Sequence, residues 1–494
     1  MRLIRCDRQA YLRNTNAEVS IRTIEHIYID GQFVEPHGRE LFDLHNPSTG
    51  EVIGQVRLGD AEDARAAIAA AKRALPRMSR TTKAERLQML EALRKAMAAR
   101  ADELREAILE EFGAPLPFAG WSANFAAAGF EGAARTLADY PLEREMGASR
   151  VVMTPVGVVG LITPWNANAG FICGKLAYAI AAGCTAVIKP SEMSAIQTDV
   201  VLRALHEAAL PAGISNVVNG RGAEVGAEIA AHPDVAKISF TGSTAVGKSI
   251  LRASADTLKR VTLELGGKSP SIIVDDADLD AVIPGAIEAA FANSGQACIA
   301  GSRLLVPEHR RQEIEARLKA AVEAHAKVGD PRDPTTTIGP MVSQTQWDRV
   351  QGYIRLGVEE GARLLTGGEG RPEGLPGYFV RPTVFTDVEN DMRIAREEIF
   401  GPVLCVLGYR DEDEAVAIAN DTSYGLSAYV FGGQARAERI AERLESGRVV
   451  INGAPHDPAA PFGGMKQSGL GRENGAFGLD AYLEPKAVLG AGVG

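Results

Sequence analysis

The chain has 494 residues, of which 46% are hydrophobic and 23% are charged, and its formal net charge is −10. These proportions are typical of a globular protein with two or three domains, because they provide enough apolar residues for a large core. The acidic balance, with no basic patch, argues against nucleic acid as a partner.

The cysteine pattern argues against a disulfide framework and against a metal site. The cysteines are odd in number, lie far apart and include no CxxC pair; they are Cys6, Cys173, Cys184, Cys298 and Cys405. We therefore expect no metal and a reducing, cytoplasmic location. The longest apolar run, residues 176–188, is too short for a membrane span. The N-terminus carries four arginines without an apolar segment, which predicts a poorly ordered tail, or a transit peptide, rather than a secretory signal.

The first third of the chain predicts short strands and then helices. Residues 26–58 alternate apolar runs with turn signals and predict strands and hairpins. Residues 60–115 have apolar side chains at helical spacing and predict two or three amphipathic helices, and residues 117–138 predict another. Residues 139–155 break this pattern and predict a strand pair that projects from the body.

From residue 157 onward, strands and helices alternate. The runs VVGLIT, TAVIKP, SNVVNG and AKISFTG are each followed by a helical segment. This alternation predicts a doubly wound, mostly parallel α/β sheet. We expect a second α/β unit to begin with VTLEL at residue 261 and to continue to RVVING at residue 448, before a Gly-rich, extended tail that starts at Phe462.

Two stretches in the middle of the chain have the residue types of a catalytic site. Cys298 lies among small residues in FANSGQACIAGSR, which leave room for a ligand to approach the sulfur. Glu264 lies between apolar residues and glycines in TLELGGKSP. We interpret Cys298 as a nucleophile and Glu264 as the group that activates water. The alternative is a buried, inert cysteine, which is the more frequent environment of a free cysteine.

Four motifs next to predicted strands carry residues that could bind a dinucleotide or stabilise an oxyanion. In FTGSTAVG a helix begins at a glycine turn, where backbone amides bind pyrophosphate, although such turns are often only structural. In TAVIKPSE, Lys189 and Glu192 could hold ribose hydroxyls, or could be a solvated pair. In LITPWNANAG, Asn166 could donate to an oxyanion, or could form a turn. EEIFGP places an acid and Phe400 before a strand, where a strand cap and a core aromatic are the alternative.

Taken together, these motifs resemble the aldehyde dehydrogenase superfamily. Eight occur in the family's order between Ile27 and Pro485: TPWN, IKPSE, FTGSTAVG, LELGGKSP, SGQACIAGSR, EEIFGPV, NDTSYGLSAYVF and PFGGMKQSGLGRENG. The resemblance implies an α/β fold with a Rossmann-variant cofactor domain, an α/β catalytic domain and a small oligomerisation arm. It assigns residues 1–134 and 153–263 to NAD binding, 264–475 to catalysis, and 135–152 and 476–494 to oligomerisation, so a homodimer or homotetramer is expected.

The resemblance also implies roles for single residues. Cys298 matches the nucleophile, Asn166 and the Cys298 backbone amide match the oxyanion hole, and Glu264 matches the general base. Lys175 and Glu473 match residues implicated in positioning or proton relay. The cofactor is expected to be NAD, with NADP as an alternative, because a carboxylate at Glu192 repels a 2′-phosphate. The matching cofactor residues are Thr163, Trp165, Lys189, Glu192, Thr241, Gly242, Ser243, Leu265, Glu398 and Phe400.

The expected substrate tunnel departs from that of many relatives. Ala167, Gly170 and Gly174 stand where bulky side chains are common, and His456 stands at the tunnel mouth, near Phe462. We expect a wide tunnel suited to a bulky or aromatic aldehyde or a semialdehyde, unless nearby loops refill the space. The alternative functions are a CoA-acylating semialdehyde dehydrogenase and a non-catalytic scaffold. Glu264 favours hydrolysis over CoA transfer, and the presence of Cys298, Asn166 and Glu264 together argues against a scaffold.

Overall fold

The computed structural model describes residues 22–490, and the tail expected at the N-terminus lies outside these residues. The structure contains two large β-sheets, each with helices in its connections, and three small β-sheets. Strands buried on both faces alternate with helices, as the continuous apolar runs of the sequence predict. The expected α/β fold class is confirmed. Within the described residues, no helix combines the length and the apolar character that crossing a bilayer requires.

The first large sheet has eight strands, and its centre is parallel. Antiparallel strands extend both edges: Ile27–Ile29 and Gln32–Val34 on one side and Gly469–Leu470 on the other. The five parallel strands are, in spatial order, Ser215–Val217, Thr185–Lys189, Val158–Ile162, Val235–Thr241 and Arg260–Glu264. The last of these contains VTLEL residues that the sequence analysis grouped with the second unit. That grouping is wrong, because the strand pairs in register with Val235–Thr241.

Helices precede the central strands of the first sheet and connect them. The segment 60–115 forms three helices, and the first two begin with capping boxes at Asp60 and Thr82, which satisfy free amides of the first turn. A long helix, Leu116–Asp139, then packs against Asn168–Ala182. The remaining helices are Ala61–Met78, Lys83–Ala98, Ala101–Glu111, Ala195–Glu207, Ala227–Ala231 and Thr244–Ala255.

The second large sheet has seven strands, and only the edge strand Arg363–Thr366 runs antiparallel to its neighbour. The others are, in spatial order, Thr383–Thr386, Val403–Tyr409, Arg303–Pro307, Pro270–Ile273, Ser427–Phe431 and Arg448–Ile451. Its helices are Leu279–Phe291, Arg311–His325, Gln344–Glu359, Arg393–Arg396, Glu412–Asn420 and Gln434–Ala441. The helix Gln344–Glu359, which the sequence analysis did not assign, begins at Ser343, whose hydroxyl accepts from the Gln346 N–H.

The expected strand pair at residues 139–155 is present as Glu143–Met146 and Ser149–Pro155. Leu483–Leu489 adds a third antiparallel strand to it. Large apolar side chains are exposed on this sheet, with Met146 63% and Leu489 79% accessible. The tail before it is not wholly extended, because Gly475–Asp480 forms a short helix. Of the two remaining small sheets, one consists of the strands Arg22–Ile24, Val52–Arg57 and Leu41–His45. The other pairs Tyr424–Gly425 with Met465–Lys466.

Candidate active site

Cys298 lies in a loop whose backbone conformation is unusual. The three residues Asn293, Ser294 and Gly295, which follow the helix Leu279–Phe291, have φ values of 52°, 58° and 74°. Non-glycine residues in this region cost free energy, so surrounding contacts must hold them there. The Ser294 hydroxyl accepts from the Gly339 N–H at 2.9 Å, and the Asn293 amide donates to the Asn166 carbonyl at 3.2 Å. The nucleophile loop is therefore held by segments distant in sequence.

The Cys298 thiol differs from the other described cysteines in its accessibility. Cys173, Cys184 and Cys405 are buried, whereas Cys298 is partly accessible. Burial of the sulfur, with smaller contributions from the carboxyl groups of Glu398 and Glu264, raises the pKa of Cys298 to about 12. The thiol is therefore protonated at neutral pH, and it needs an activating group or a developing positive charge nearby before it can attack.

The Asn166 side chain is oriented toward the loop that carries Cys298. Its Nδ2 donates to the carbonyl of Gln296 at 2.9 Å. A primary amide has two N–H groups, so the second can still donate to a ligand oxygen. Asn166 is 8% exposed and lines the same two cavities as Cys298. This arrangement is suited to stabilising an oxyanion formed at the carbon that Cys298 attacks.

Glu264 ends the strand Arg260–Glu264 and lines a cavity with Cys298. Both of its carboxyl oxygens are buried without a hydrogen-bond partner among the described residues. Burial therefore raises the pKa of Glu264 well above its usual range, and the negative charge of Glu473 contributes to this rise. The backbone of Gly463 packs closely against this carboxyl group, because a β-carbon on Gly463 would lie 2.7 Å from Glu264 Oε1. A carboxyl group kept this free of partners is a strong base once it ionises.

Lys175, which is buried, forms an ion pair with the partly buried Glu473 beside Glu264. The hydroxyl of Ser239 connects the same two groups, because it accepts from Lys175 Nζ at 3.0 Å and donates to Glu473 Oε1 at 3.1 Å. Backbone hydrogen bonds in both directions between Phe462 and Glu473, of 2.8 and 2.7 Å, hold this segment in place. Lys175 and Glu473 thus lie together, although they are far apart in sequence.

One cavity collects most of the residues predicted to bind the cofactor. Glu398 accepts from the Gly267 N–H at 3.0 Å, and burial raises its pKa to about 7. Phe400 has a φ of 63°, and its ring centre lies 5.4 Å from that of Trp165 in an edge-on contact. The predicted residues in the lining are Trp165, Thr241, Gly242, Ser243, Leu265, Glu398 and Phe400, together with Asn166, Glu264 and Cys298.

Three predicted cofactor residues lie outside that lining and next to one another. The Thr163 N–H donates to the Lys189 carbonyl at 3.1 Å, because these residues occupy the ends of adjacent parallel strands. Lys189 Nζ donates to Glu192 Oε2 at 2.9 Å. Arg221 lies 3.7 Å from the other carboxyl oxygen of Glu192 and also pairs with Glu40. Carboxyl ends of parallel strands are where open α/β sheets bind ligands.

A second cavity opens on the other side of Cys298 and has an aromatic wall. The residues predicted for the substrate tunnel all line it: Ala167, Gly170, Gly174, His456 and Phe462. The width of this second cavity differs between Gly170 and Gly174. A β-carbon on Gly170 would lie 2.7 Å from the Phe125 ring, so that ring refills the space there. A β-carbon on Gly174 would meet no atom within 4 Å, so space stays open at that position.

A model of the aldehyde dehydrogenase family matches residues 33–488. The chain belongs to the aldehyde dehydrogenase family. A similar protein is the 3-succinoylsemialdehyde-pyridine dehydrogenase of a Pseudomonas species, which is 48% identical over 475 residues, 95% of this chain and 99% of that protein. The expected family and the expected enzyme class are confirmed.

Solved aldehyde dehydrogenase structures share the fold. Aldehyde dehydrogenase C of Pseudomonas syringae, a mutant solved with NAD+ and octanal, has a TM-score of 0.94 and 43% identity, covering 97% of this chain and 100% of that one. Betaine aldehyde dehydrogenase of Staphylococcus aureus, solved with NAD+, has a TM-score of 0.91 and 36% identity, covering 94% of each chain.

In this aldehyde dehydrogenase, sequence reasoning missed residues that packing brings to the site. Gln346 and Arg349, on the unassigned helix, donate to the carbonyls of Phe400 and Glu398 at 2.8 and 2.5 Å. A helix signal existed in the Ser343 cap, but nothing local connects that helix to a ligand. Other unpredicted lining residues are Phe118, Trp121, Phe125, Phe171, Tyr178 and Arg448.

Proposed function

We propose that this aldehyde dehydrogenase oxidises an aldehyde to the carboxylic acid with NAD, through a covalent intermediate on Cys298 that water hydrolyses with the help of Glu264. The observation that carries the proposal is that Cys298 and Asn166 line both cavities, at the point where they meet. A thiol in that position reaches a cofactor on one side and an aldehyde on the other. NADP is the alternative cofactor.

The residues of the first cavity fit a nicotinamide dinucleotide. The hydroxyl of Thr241 is buried and has no partner among the described residues, so it is free for a ligand. Gly242 and Ser243 precede the helix Thr244–Ala255, whose first amides favour a pyrophosphate. The remaining cofactor residues proposed above would hold the ribose and nicotinamide ends. When bound, the nicotinamide would accept the hydride that leaves the carbon bonded to Cys298, and this loss would turn the adduct into a thioester.

The first chemical step requires Cys298 and Asn166. The thiol of Cys298 gives its proton to water, its sulfur bonds to the aldehyde carbon, and the carbonyl electron pair moves to oxygen. Asn166, with the backbone amide of Cys298, donates to that oxygen as it becomes negative. Since the loop around Cys298 is held in place before the aldehyde arrives, little reorganisation accompanies the attack.

The second chemical step requires Glu264. Water attacks the carbon of the thioester on Cys298, Glu264 accepts the proton, and the sulfur leaves, which releases the acid. The unpartnered carboxyl of Glu264 supports this role. The ion pair of Lys175 and Glu473 lies beside it, and we propose that this pair positions Glu264 and relays its proton. A CoA-acylating enzyme would have no use for such a base, so hydrolysis is the better-supported function.

We propose that the substrate is a bulky or aromatic aldehyde or a semialdehyde. The aromatic wall of the second cavity and the open space at Gly174 support this class. The printed name of the Pseudomonas relative describes a semialdehyde on a pyridine, which also agrees with it. Among residues 22–490, no cluster of His, Cys, Asp and Glu is arranged to hold a metal ion.

We also propose the assembly, the domain bounds and the location. The exposed apolar side chains on the small sheet of Ser149–Pro155 and Leu483–Leu489 support its use in a homodimer or homotetramer. The domain bounds proposed are those given by the resemblance, residues 1–134 and 153–263, 264–475, and 135–152 with 476–494. The free thiols of the described cysteines support a reducing, cytoplasmic compartment.

NADH formation by the purified protein tests the proposal. The aldehydes would run from acetaldehyde through succinic semialdehyde to benzaldehyde, each with NAD or NADP and with or without CoA. We expect turnover without CoA that disappears in Cys298→Ala and persists in Cys405→Ala, a control that removes a buried thiol outside the site. Turnover that depends on CoA would replace hydrolysis with acyl transfer. Bound NAD without turnover of any aldehyde would favour the scaffold function.

A further inference from the structure

Arg448 lines the second cavity, but the proposed reaction gives this side chain no role and its sequence context does not predict that it lies there. It is the first residue of the strand Arg448–Ile451 and lines the cavity together with Cys298. Its register partner is Ser427, and Tyr429 follows two residues later on the same face of the sheet. The Tyr429 hydroxyl donates to the carbonyl of Ile299 at 2.8 Å, directly after the nucleophile. Arg448 therefore shares a sheet face with a group that contacts the nucleophile loop.

The guanidinium of Arg448 has no partner. It makes no hydrogen bond and no ion pair with any residue in the range 22–490, although its backbone N–H donates to Leu426. A guanidinium carries five N–H donors in a planar fork that matches a carboxylate. Many other arginines in residues 22–490 pair with a carboxylate, as Arg443 does with Asp413 at 2.6 Å. At Arg448 the donors face a cavity built for a ligand.

His456, another polar residue in the lining of this cavity, does not neutralise Arg448. Burial lowers the pKa of His456, and the positive charge of Arg448 lowers it further, so the imidazole stays neutral at physiological pH. Asp457 acts in the opposite direction on His456 but forms no ion pair with Arg448. The other charged pair in the lining, Lys175 with Glu473, is internally balanced. Arg448 thus leaves the cavity with an uncompensated positive charge.

The wall that accompanies this charge is aromatic. Phe118, Trp121 and Phe125 lie three and four residues apart on the helix Leu116–Asp139, which places them on one face. The rings of Trp121 and Phe125 are stacked, with centres 4.9 Å apart and planes inclined by 17°. The cavity thus offers a planar apolar surface and, in the same lining, a free cation.

We propose that Arg448 determines substrate specificity by binding an oxygen acceptor, a carboxylate or a ketone carbonyl, on the part of the aldehyde remote from its reacting carbon. This inference rests on the proposed function and narrows its substrate class to aromatic aldehydes that carry such an acceptor. A carboxylate gains most, because a bidentate, charge-assisted pair with a guanidinium is stronger than a neutral hydrogen bond. Arg448 contacts the substrate but takes no part in bond making.

Three para-substituted benzaldehydes of similar shape separate the effect of a carboxylate, of a ketone carbonyl and of shape alone on substrate binding. 4-Formylbenzoate carries a carboxylate, 4-acetylbenzaldehyde carries a ketone, and 4-isopropylbenzaldehyde carries neither. The variants are Arg448→Met, which keeps the length of the side chain, and Arg448→Lys, which keeps the charge without the fork. Arg443→Met removes an exposed, paired arginine as the control. The measurements are kcat and KM for each aldehyde, with the oligomeric state of each variant from gel filtration.

We expect Arg448→Met to lower kcat/KM for 4-formylbenzoate by about 10-fold or more, mainly through KM, and to lower it less for 4-acetylbenzaldehyde. The isopropyl compound should be unaffected, Arg448→Lys should be intermediate on the carboxylate, and Arg443→Met should resemble the wild type. Equal losses on all three aldehydes would overturn the inference in favour of a structural role. No loss on any would overturn it too, as would a change in oligomeric state, which would assign Arg448 to a subunit contact.

The failure of this inference can be distinguished from a failure of the proposed function. Turnover of 4-isopropylbenzaldehyde by the wild type, abolished by Cys298→Ala, keeps the dehydrogenase mechanism whatever Arg448 does. If no aldehyde in the series is oxidised by the wild type, the proposed function fails, and the specificity proposal fails with it.

Discussion

The side-chain amide of Asn293 donates a hydrogen bond to the backbone carbonyl of Asn166 at 3.2 Å. This bond joins the loop of the nucleophile, which belongs to the second sheet, to the segment that follows a strand of the first sheet. The distance between the Cys298 sulfur and the Asn166 side chain therefore depends on a contact between the segments of the two large sheets, rather than on either segment alone.

Asn293→Gly should separate this hydrogen bond from the backbone strain. Glycine adopts the φ of 52° without cost, so the variant loses the amide while the loop keeps its conformation. We expect kcat to fall by about 10-fold or more with little change in the dissociation constant for NAD, because misplacing the reacting groups slows the chemistry. Asn293→Ala, which adds strain, should be less stable as well. If both variants keep the wild-type kcat, Asn293 does not position the site.

Glu264→Gln should uncouple the two chemical steps. Oxidation continues, so mixing enzyme with aldehyde and NAD should still give a burst of about one NADH per site if the substituted amide leaves the thiol accessible, while steady turnover falls by about 100-fold or more. Stopped-flow absorbance measures both phases. The absence of any burst would place Glu264 in the oxidation step instead of the hydrolysis.

The pH dependence of turnover follows from the raised pKa of Glu264. Only the ionised carboxylate accepts a proton from water, so the steady rate of the wild type should increase as pH rises through that elevated pKa. The residual rate of Glu264→Gln should lack this increase. An identical profile in wild type and variant would exclude Glu264 as the titrating base.

Glu192→Gln should shift cofactor preference toward NADP. The variant removes the negative charge and leaves Lys189 without its carboxylate partner, so this cation becomes available to a 2′-phosphate, while Arg221 keeps its pair with Glu40. We expect the ratio of kcat/KM for NADP over NAD to rise by about 10-fold or more. Glu192→Asp, which keeps the charge, is the control. Comparable kcat/KM values for both cofactors in the wild type would contradict the assigned role of Glu192.

Glu111 should make stability depend on pH. Its buried carboxyl accepts from the backbone N–H groups of Ile196 and Gln197, yet burial outweighs these bonds and raises its pKa from 4.5 to about 8. The folded state therefore holds a proton that the unfolded state releases between these pH values, so stability is lost as pH rises through this range. The melting temperature of the wild type should fall relative to Glu111→Gln from pH 5 to pH 8. Parallel curves would contradict the assignment.

Ala167→Phe tests the width of the tunnel. Ala167 lines the cavity next to the open space at Gly174, so a phenyl ring there should obstruct benzaldehydes more than acetaldehyde. We expect the ratio of their kcat/KM values to change by about 10-fold. Equal effects on small and bulky aldehydes would mean that neighbouring residues already define the width, as Phe125 does at Gly170.

Prediction from sequence works from local signals, and for the α/β fold class such a signal was sufficient. Cys298 and Glu264 stand in short runs of unusual composition, and strand–helix alternation is a pattern along the chain. Arg448 begins an ordinary strand, RVVING, and resembles any arginine at a strand end until the sheet register places it beside Tyr429. Phe125 has the spacing of a core residue, and only helix packing turns it toward the cavity. Arg221 likewise reaches Glu192 only through the fold.

The edge strand Gly469–Leu470 has a consequence for the order in which the protein can mature during synthesis. It pairs with Glu264 and Leu263, and the neighbouring Ser468 hydroxyl donates to the Gly266 carbonyl across a sequence separation of 202 residues. Glu473 follows in the same late segment. During synthesis, Cys298 is therefore made before the residues that pack around Glu264. A chain cut short before this strand would carry both Cys298 and Glu264 but would lack the segment that pairs with Glu264 and the carboxyl group of Glu473.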